Sequence, residues 1–301
     1  MEAFQRSWYE LKFCHDFRSR NGTAFQDFFS TLMERRYPGD FQRVKPYGKY
    51  GDRKCDGYHA SLRMVFQLYA PESMNVTVTL AKIDEDFDGA MEYWQEQMRA
   101  WTFVHNQWRG IPADVLNRLN ELRDKHKLTV AQWGEAELRN LVFTLCDLDI
   151  ANLLGEAPGT RTVAVLGFDD LRPVINSIAQ QEPPSDNQIK PVPEDKLEAN
   201  ALSESVKALL LVGMRKSSLV HRFFSTWHDP QLGDRVARSF RARYEQLRDA
   251  NIVGDDAFLE LWRYAGGSGR GSPRSEAAVL AVLAFLFEEC EIFEASRIQP
   301  S

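Results

Sequence analysis

The 301-residue sequence holds only four cysteines, Cys14, Cys55, Cys146 and Cys290. They are scattered so that no two form a CxxC pair and none has a histidine at finger-like spacing. That excludes a zinc site legible from spacing and gives no sign of the disulfide framework of a small secreted domain. The thiols read as reduced, half-buried small hydrophobes, which points to the cytoplasm. Long apolar runs are missing too: no stretch approaches the roughly 18 residues needed to cross a bilayer, and the opening MEAFQRSWYELKF has no apolar core behind a basic start. The expectation is no membrane span and no secretion. Positive charge is not in surplus, since 37 Lys and Arg stand against 43 Asp and Glu for a net −6. A protein that coats nucleic acid by bulk charge is thereby excluded, and any such contact must be local.

What is present is the balance of a folded globular chain, 44% hydrophobic and 27% charged, long enough for two ordinary domains. The one clear break in composition is QQEPPSDNQIKPVPED at 180–195, which carries four prolines and no aromatic residue and reads as a linker. The division expected is a mixed α/β domain over 1–179 and an all-helical domain over 196–301.

In the first half, Thr23 to Arg36 sets Phe25, Phe28, Phe29, Leu32 and Met33 on one helical face, ending before Pro38 and Gly39. This reads as the opening helix. Phe41 to Lys45, Lys54 to Tyr58 and Arg63 to Tyr69 read as three strands separated by glycines and polar turns. A helix over Asp86–Arg99, a strand over Trp101–His105, a helix over Pro112–Lys125, a strand over Leu128–Gln132 and a helix over Glu135–Leu145 follow. The second half has helical periodicity over 197–211, 217–227, 232–250, 257–263 and 275–287. Its AAVLAVLAFLF, Ala277 to Phe287, is apolar nearly all round, which marks either the central helix of a bundle or an interface helix.

The stretch richest in chemistry is YGKYGDRKCDGYHASLRMVFQLYAPE, Tyr47 to Glu72. Strand alternation would place Asp52, Lys54 and Asp56 on one face, and Gln67 with Tyr69 on one face of the neighbouring strand. Carboxylates, an ammonium and a side-chain carbonyl could then converge. Phosphodiester hydrolysis uses such a set, with oxygen ligands holding a divalent cation against the phosphate and a nearby cation stabilising the transition state. Gly48, Gly51 and Gly57 would let a phosphate backbone come close. The same residues also read as a polar hairpin turn, with Gln67 serving an edge backbone group and Tyr69 packing in the core.

The order GxxFQ at Gly22 to Gln26, GxxGDxKxDG at Gly48 to Gly57 and FQLYAPE at Phe66 to Glu72 resembles the motif series of Mrr-like PD-(D/E)xK nucleases. That resemblance implies an α/β restriction-endonuclease-like domain followed by the all-α domain. It implies Asp56 and Gln67 as ligands of Mg²⁺ or Mn²⁺, with Asp56, Gln67 and Lys54 as the catalytic set and Gly51, Gly57 and Tyr69 against the substrate. Gln26 stands where the family often has a helix glutamate, and Tyr69 where it has its lysine, so Lys54 is the candidate replacement for that cation. More widely, FQDFFSTLM, PGDFQRVKPYGKYGDRKCDGY, QLYAPE, WTFVHNQWRGIP and AAVLAVLAFLFEECEIFE together resemble nuclease-like components of bacterial ABC-three component systems. The resemblance implies partners, namely DNA, an SMC-like or ABC-type ATPase and a small third component, and a role in defence against phage and other foreign DNA. Two functions are carried forward: a metal-dependent endonuclease subunit, and an inert subunit that uses the same fold to bind DNA or to scaffold the complex.

Three further features bear on function. His105 and Asn106 sit at a strand end, as a base or DNA contact or as a turn that caps the next helix. Arg235, Arg238, Arg241, Arg243 and Arg248 form a basic helix face, for DNA phosphate, for an acidic partner or simply solvated. FEECEIFE at Phe287 to Glu294 mixes acids with aromatics, as a docking edge or as an amphipathic helix end.

Overall fold

A computed structural model of the chain describes residues 1–45, 53–180, 202–267 and 271–289. Gly48, Gly51 and Asp52, the linker from residue 181 on, and FEECEIFE from residue 290 on lie outside the described residues. Two compact units are present, one formed by Phe13–Leu153 and the other by Met1–Lys12 with Leu154–Ser301.

Helix α1, Ala3–Ser19, precedes the helix expected to open the fold. Its first residues count with one unit and its last with the other. At about 100° per residue, Phe4, Trp8 and Leu11 lie on one side of α1 and Phe13 and Phe17 on the opposite side. All five are buried. The apolar stripe therefore changes face midway, and no single periodic pattern marks the helix.

In the unit Phe13–Leu153, α2 (Gly22–Arg36) leads into a five-stranded sheet. Its strands are β1 (Phe41–Arg43), β2 (Gly57–His59), β3 (Met64–Tyr69), β4 (Ala100–His105) and β5 (Thr129–Trp133), side by side in chain order. The first two pairings are antiparallel, and β3, β4 and β5 run parallel. Parallel neighbours need crossovers. These are α3 (Val76–Trp94) between β3 and β4, and α4 (Ala113–His126) between β4 and β5. On one face Val65, Trp101, Phe103 and Val130 pack with Ile83, Phe87 and Ala90 of α3 and Val115, Leu119 and Leu122 of α4. On the other, Phe29 of α2 meets Phe41 and Phe66, and Phe66 meets Trp133. Covered on both faces, β4 is buried at every residue. Helices α5 (Glu135–Val142) and α6 (Asp147–Leu154) follow.

From α2 to α5 the elements follow the order read from the sequence, and together they make a mixed sheet between helices. Two element starts differ by three residues or more. Helix α3 begins ten residues before Asp86, because Asn75 caps it by accepting the Val78 N–H, and the β-branched VTVT that opens it does not advertise a helix. Strand β2 begins at Gly57 instead of Lys54, because Arg53 and Lys54 take positive φ of 54° and 57°. Two successive left-handed residues cannot continue a pleat.

The other unit is helical: α7 (Thr160–Ala164), α8 (Phe168–Ala179), α9 (Glu204–Met214), α10 (Ser217–Thr226), α11 (Leu232–Asp249), α12 (Gly254–Tyr264) and α13 (Pro273–Glu288). Besides the helices after residue 202 it takes in α7 and α8, which pack on α13. Ser272 caps α13 by accepting the Ser275 N–H, and every residue from Glu276 to Phe287 is buried. Of the two readings of AAVLAVLAFLF, the central helix is the one observed. A Cβ on Gly213 of α9 would lie 2.7 Å from both the Ala284 Cβ and the Leu280 carbonyl oxygen, so glycine is what lets α9 and α13 approach. Among the described residues no helix is long and apolar enough to cross a membrane.

Candidate functional site

The start of α2 is tied to the end of β3 by the Gly22 N–H donating to the Ala70 carbonyl at 2.8 Å. It is tied to the end of β4 by buried Asn106, whose Nδ2 donates to Arg20 O, Asn21 Oδ1 and Pro71 O at 3.3, 2.8 and 3.1 Å.

Asp56 lies one residue before β2. Its N–H donates to Phe66 O at 2.9 Å, and its Oδ2 then accepts the Leu68 N–H at 2.7 Å, so the carboxylate extends the β2–β3 ladder past the end of the strand. Its Oδ1 accepts from Gln26 Nε2 at 3.1 Å. A carboxylate only accepts, so the amide must present its nitrogen. Gln26, being neutral, supplies a donor where a glutamate would add a second negative charge. Motif comparison marked Gln26 as a missing charge; its role as a donor to Asp56 was not legible.

Gln67, in the middle of β3, is buried and pairs in register with Phe103. By alternation it shares a face with Val65 and Tyr69. Its Oε1 has no hydrogen-bond partner among the described residues. Tyr69 is half-buried, its ring 6.2 Å from that of Phe103 and set against the core. Gly57 is buried, and the space its missing side chain leaves is filled by the Phe41 ring, 2.4 Å from where a Cβ would stand. That room holds a core phenylalanine on the side where the Cβ would point.

Lys54 departs from the expected alternation because of its left-handed backbone. Its Nζ hydrogen-bonds Glu85 Oε1 and lies 3.1 Å from Asp86 Oδ1, both on α3. Its stem lies against Gly89, with Cγ 2.5 Å from where a Cβ would be. Asp86 is fully buried and also receives Lys82 at 2.7 Å. Burial works against the Lys54 charge, but the hydrogen bonds to Glu85 and Asp86 outweigh it and hold the ammonium charged well above the usual lysine range. The seen contacts of Lys54 therefore run to α3, whereas those of Asp56 run to α2 and β3.

His105 is buried, with Nδ1 accepting the Gln107 N–H at 3.2 Å and Nε2 2.6 Å from Gln132 Oε1. The first bond assigns the proton to Nε2, which donates to Gln132. Burial holds the ring's pKa below the ordinary histidine value, against the pull of Gln132 and Glu137. His105 is a fixture of the strand end that accepts the Gln107 N–H of the turn, and it does not cap the next helix, whose N-cap is Pro112. On the basic face of α11, Arg235 pairs with Asp229 at 2.6 Å and Arg243 with Glu260 at 3.5 Å, and Arg238 turns back to its own Asp234 carbonyl.

The donor set can be held against the cation that the resemblance implies. Among the described residues no group of three or more His, Cys, Asp or Glu side chains is placed to hold a metal ion. Each Asp56 oxygen accepts one protein donor, from Gln26 and from the Leu68 N–H, which leaves a lone pair on each. The implied pair of ligands supplies one carboxylate, Asp56, and one amide, Gln67.

Residues 169–294 match the family model for C-terminal domain 10 of the ABC-three component (ABC-3C) systems, and this stretch is a C-terminal domain of those systems. No curated protein and no solved structure matches the chain.

Proposed function

We propose, from the ABC-three component domain at residues 169–294, that the chain is a non-cleaving subunit of an ABC-three component defence assembly, in which the unit Phe13–Leu153 is a nuclease-like frame used to bind or to scaffold. The observation that carries this is the neutral partner of Asp56: Gln26 gives it an amide donor where a second acid would help to draw in a cation, and among the described residues no group of three or more His, Cys, Asp or Glu side chains is placed to hold a metal ion. The tie of Lys54 to Glu85 and Asp86 points the same way, because a lysine engaged by two acids has little charge left for a phosphate. Partner contact belongs to the helical unit on this reading, since that is where the family match lies; an ATPase and a small third component are the partners proposed.

A second reading, Mg²⁺- or Mn²⁺-dependent DNA cleavage by Asp56, Gln67 and Lys54, is favoured by one observation. The Gln67 Oε1 is a buried acceptor with no partner among the described residues, and such an acceptor is costly unless something fills it.

The test is nicking of supercoiled plasmid by the full chain with Mg²⁺ or Mn²⁺, with and without an ATPase and a small third component of an ABC-three component system. The expected result is intact plasmid in every lane, together with co-purification of those components with the chain. Nicking that disappears in Asp56→Ala would overturn the non-cleaving reading and establish the second.

A further inference from the structure

Three cations stand in a row at the amino edge of the parallel strands. Met64 of β3 pairs in register with Ala100 of β4, and Ala100 with Thr129 of β5. Arg63 and Arg99 each come one residue before their strand and Lys127 two residues before, so the three enter neighbouring strands at one end of the sheet. The Arg63 carbonyl ties the first two together by accepting the Arg99 N–H at 2.7 Å and the Ala100 N–H at 3.3 Å. Lys125, in the last turn of α4, joins the row from the helix that leads into β5. At about 4.8 Å between strands the row is about 10 Å long. It lies at the other end of β3 from Leu68, whose N–H holds Asp56, about 16 Å along the strand.

All four residues are exposed, and among the described residues none of their side chains makes a hydrogen bond or an ion pair. Of the acids nearby in the chain, Asp124 is taken up by Arg123 at 3.1 Å, Glu121 by Arg118 at 2.9 Å and Asp40 by Ser61, which leaves Glu92 and Glu96 against four cations. In a chain of net charge −6 this is a local surplus of positive charge. A helix carboxyl end draws cations to its carbonyls, which accounts for Lys125 and Lys127. Arg63 and Arg99 precede strands and have no such reason. Arg63 and Lys127, moreover, take φ of 51° and 54°, a conformation that glycine adopts freely and a longer side chain does not. Two turn positions that favour glycine thus each present a cation to solvent.

We infer that Arg63, Arg99, Lys125 and Lys127 form a contact surface for the phosphate backbone of a nucleic-acid duplex. Phosphates of one strand follow each other at about 3.4 Å of helix axis, so a row of about 10 Å meets about three of them. Cations on turns at a sheet edge reach phosphate oxygens without entering a groove, which gives binding without sequence preference. The spacing of the row is fixed by the sheet and even, as the charge of a phosphate backbone is; an acidic polypeptide has no such fixed spacing. The inference rests on the reading of Phe13–Leu153 as a binding frame, names what it binds, and places that contact at the opposite end of β3 from Asp56.

The test is fluorescence anisotropy of a labelled duplex of mixed sequence with the full chain, in chelator, comparing wild type with the double variant Arg63→Gly, Lys127→Gly. Glycine suits the backbone at both positions, so melting should change little and lost binding reports lost charge. Arg215→Gln with Arg222→Gln, two exposed cations of the helical unit, is the control for charge removal. About three phosphate contacts predict that wild type loses about fortyfold in affinity between 50 and 200 mM salt. The glycine variant is expected to bind about tenfold or more weakly at 50 mM salt, with the slope of log affinity on log salt shallower by about two, and the control to match wild type. No wild-type binding at about 50 mM salt, an unchanged slope in the glycine variant, or displacement by polyglutamate at a lower charge concentration than by unlabelled duplex would each overturn the inference, the last in favour of an acidic polypeptide. Plasmid nicking bears on the other question. A chain that nicks and binds duplex through this row refutes the non-cleaving reading and keeps the surface; a chain that neither nicks nor binds duplex does the reverse.

Discussion

Gln26→Glu changes one nitrogen to oxygen, yet it should be among the most damaging conservative substitutions in the α/β unit. The amide donates to Asp56 Oδ1 at 3.1 Å. Loss of a hydrogen bond to a charged acceptor costs about 1.5–3 kcal/mol. Two carboxylates left about 4 Å apart repel by about 4 kcal/mol at the effective dielectric of a protein surface. Both residues are half-buried, so solvent and a swing of the longer side chain remove part of that repulsion. A net loss of roughly 2–4 kcal/mol follows, which corresponds to a fall of about 5–12 °C in melting temperature for a unit of this size. The assay is urea and thermal unfolding in chelator at pH 8, repeated with millimolar Mg²⁺. In the variant the paired carboxylates offer hard oxygen ligands, so Mg²⁺ should restore part of the loss, whereas wild type should not respond. Wild-type stability in the variant without metal would mean that Gln26 does not hold Asp56. A Mg²⁺ response in wild type would mean that Asp56 is free to bind a cation, and the argument for a non-cleaving subunit would fall.

Other expectations follow from the same contacts. Asp56→Ala, which its place among glycines suggests would be structurally silent, should lose about 1–3 kcal/mol in urea unfolding because the Leu68 N–H and the Gln26 amide lose their acceptor. Asp86→Ala should cost more, about 3–5 kcal/mol, because it strips the buried partner from both Lys54 and Lys82; a loss below 1 kcal/mol would show the pair to be solvated. The histidine pKa of His105 is lowered in the folded state, so its contribution is complete above the unfolded value near pH 6.5 and is lost as pH falls through the folded value. Urea midpoints should therefore drop from pH 7.5 to 5.5, and His105→Gln should flatten that slope. Cys14 is pushed up to about 12, chiefly by burial and then by Glu135, so in native protein at pH 8 mass spectrometry after iodoacetamide should find exposed Cys146 alkylated well before Cys14.

Much of the architecture was legible because it depends on local pattern. The stripe of Phe25, Phe28, Phe29, Leu32 and Met33, the glycine and proline breaks around the strands and the apolar run at 277–287 each report a burial that one element makes by itself. Helix α1 was not legible, because its apolar residues change face between Leu11 and Phe13, and a stripe that serves two cores has no single period. The early start of α3 was hidden because β-branched residues read against a helix until the sheet packs on it.

The candidate site divides in the same way. The residue types and their order in Tyr47 to Glu72 are properties of the sequence, and they name Asp56, Gln67 and Lys54 as the groups able to hold oxygen chemistry. Where each of those groups points is not a sequence property, because alternation holds only while φ and ψ stay in the pleated region, and Arg53 and Lys54 leave it. That single departure sends Lys54 to Glu85 and Asp86 on α3, while Asp56 turns to the end of the β3 ladder and to Gln26. Arg63, Arg99 and Lys127 are spread widely along the chain and have no local reason to meet. Only the pairing of β3, β4 and β5 sets them side by side. The sequence by itself determined which groups could act and which elements would carry them. The tertiary structure decided which groups face one another, because hydrogen bonds and ion pairs across elements depend on directions that no spacing along the chain encodes.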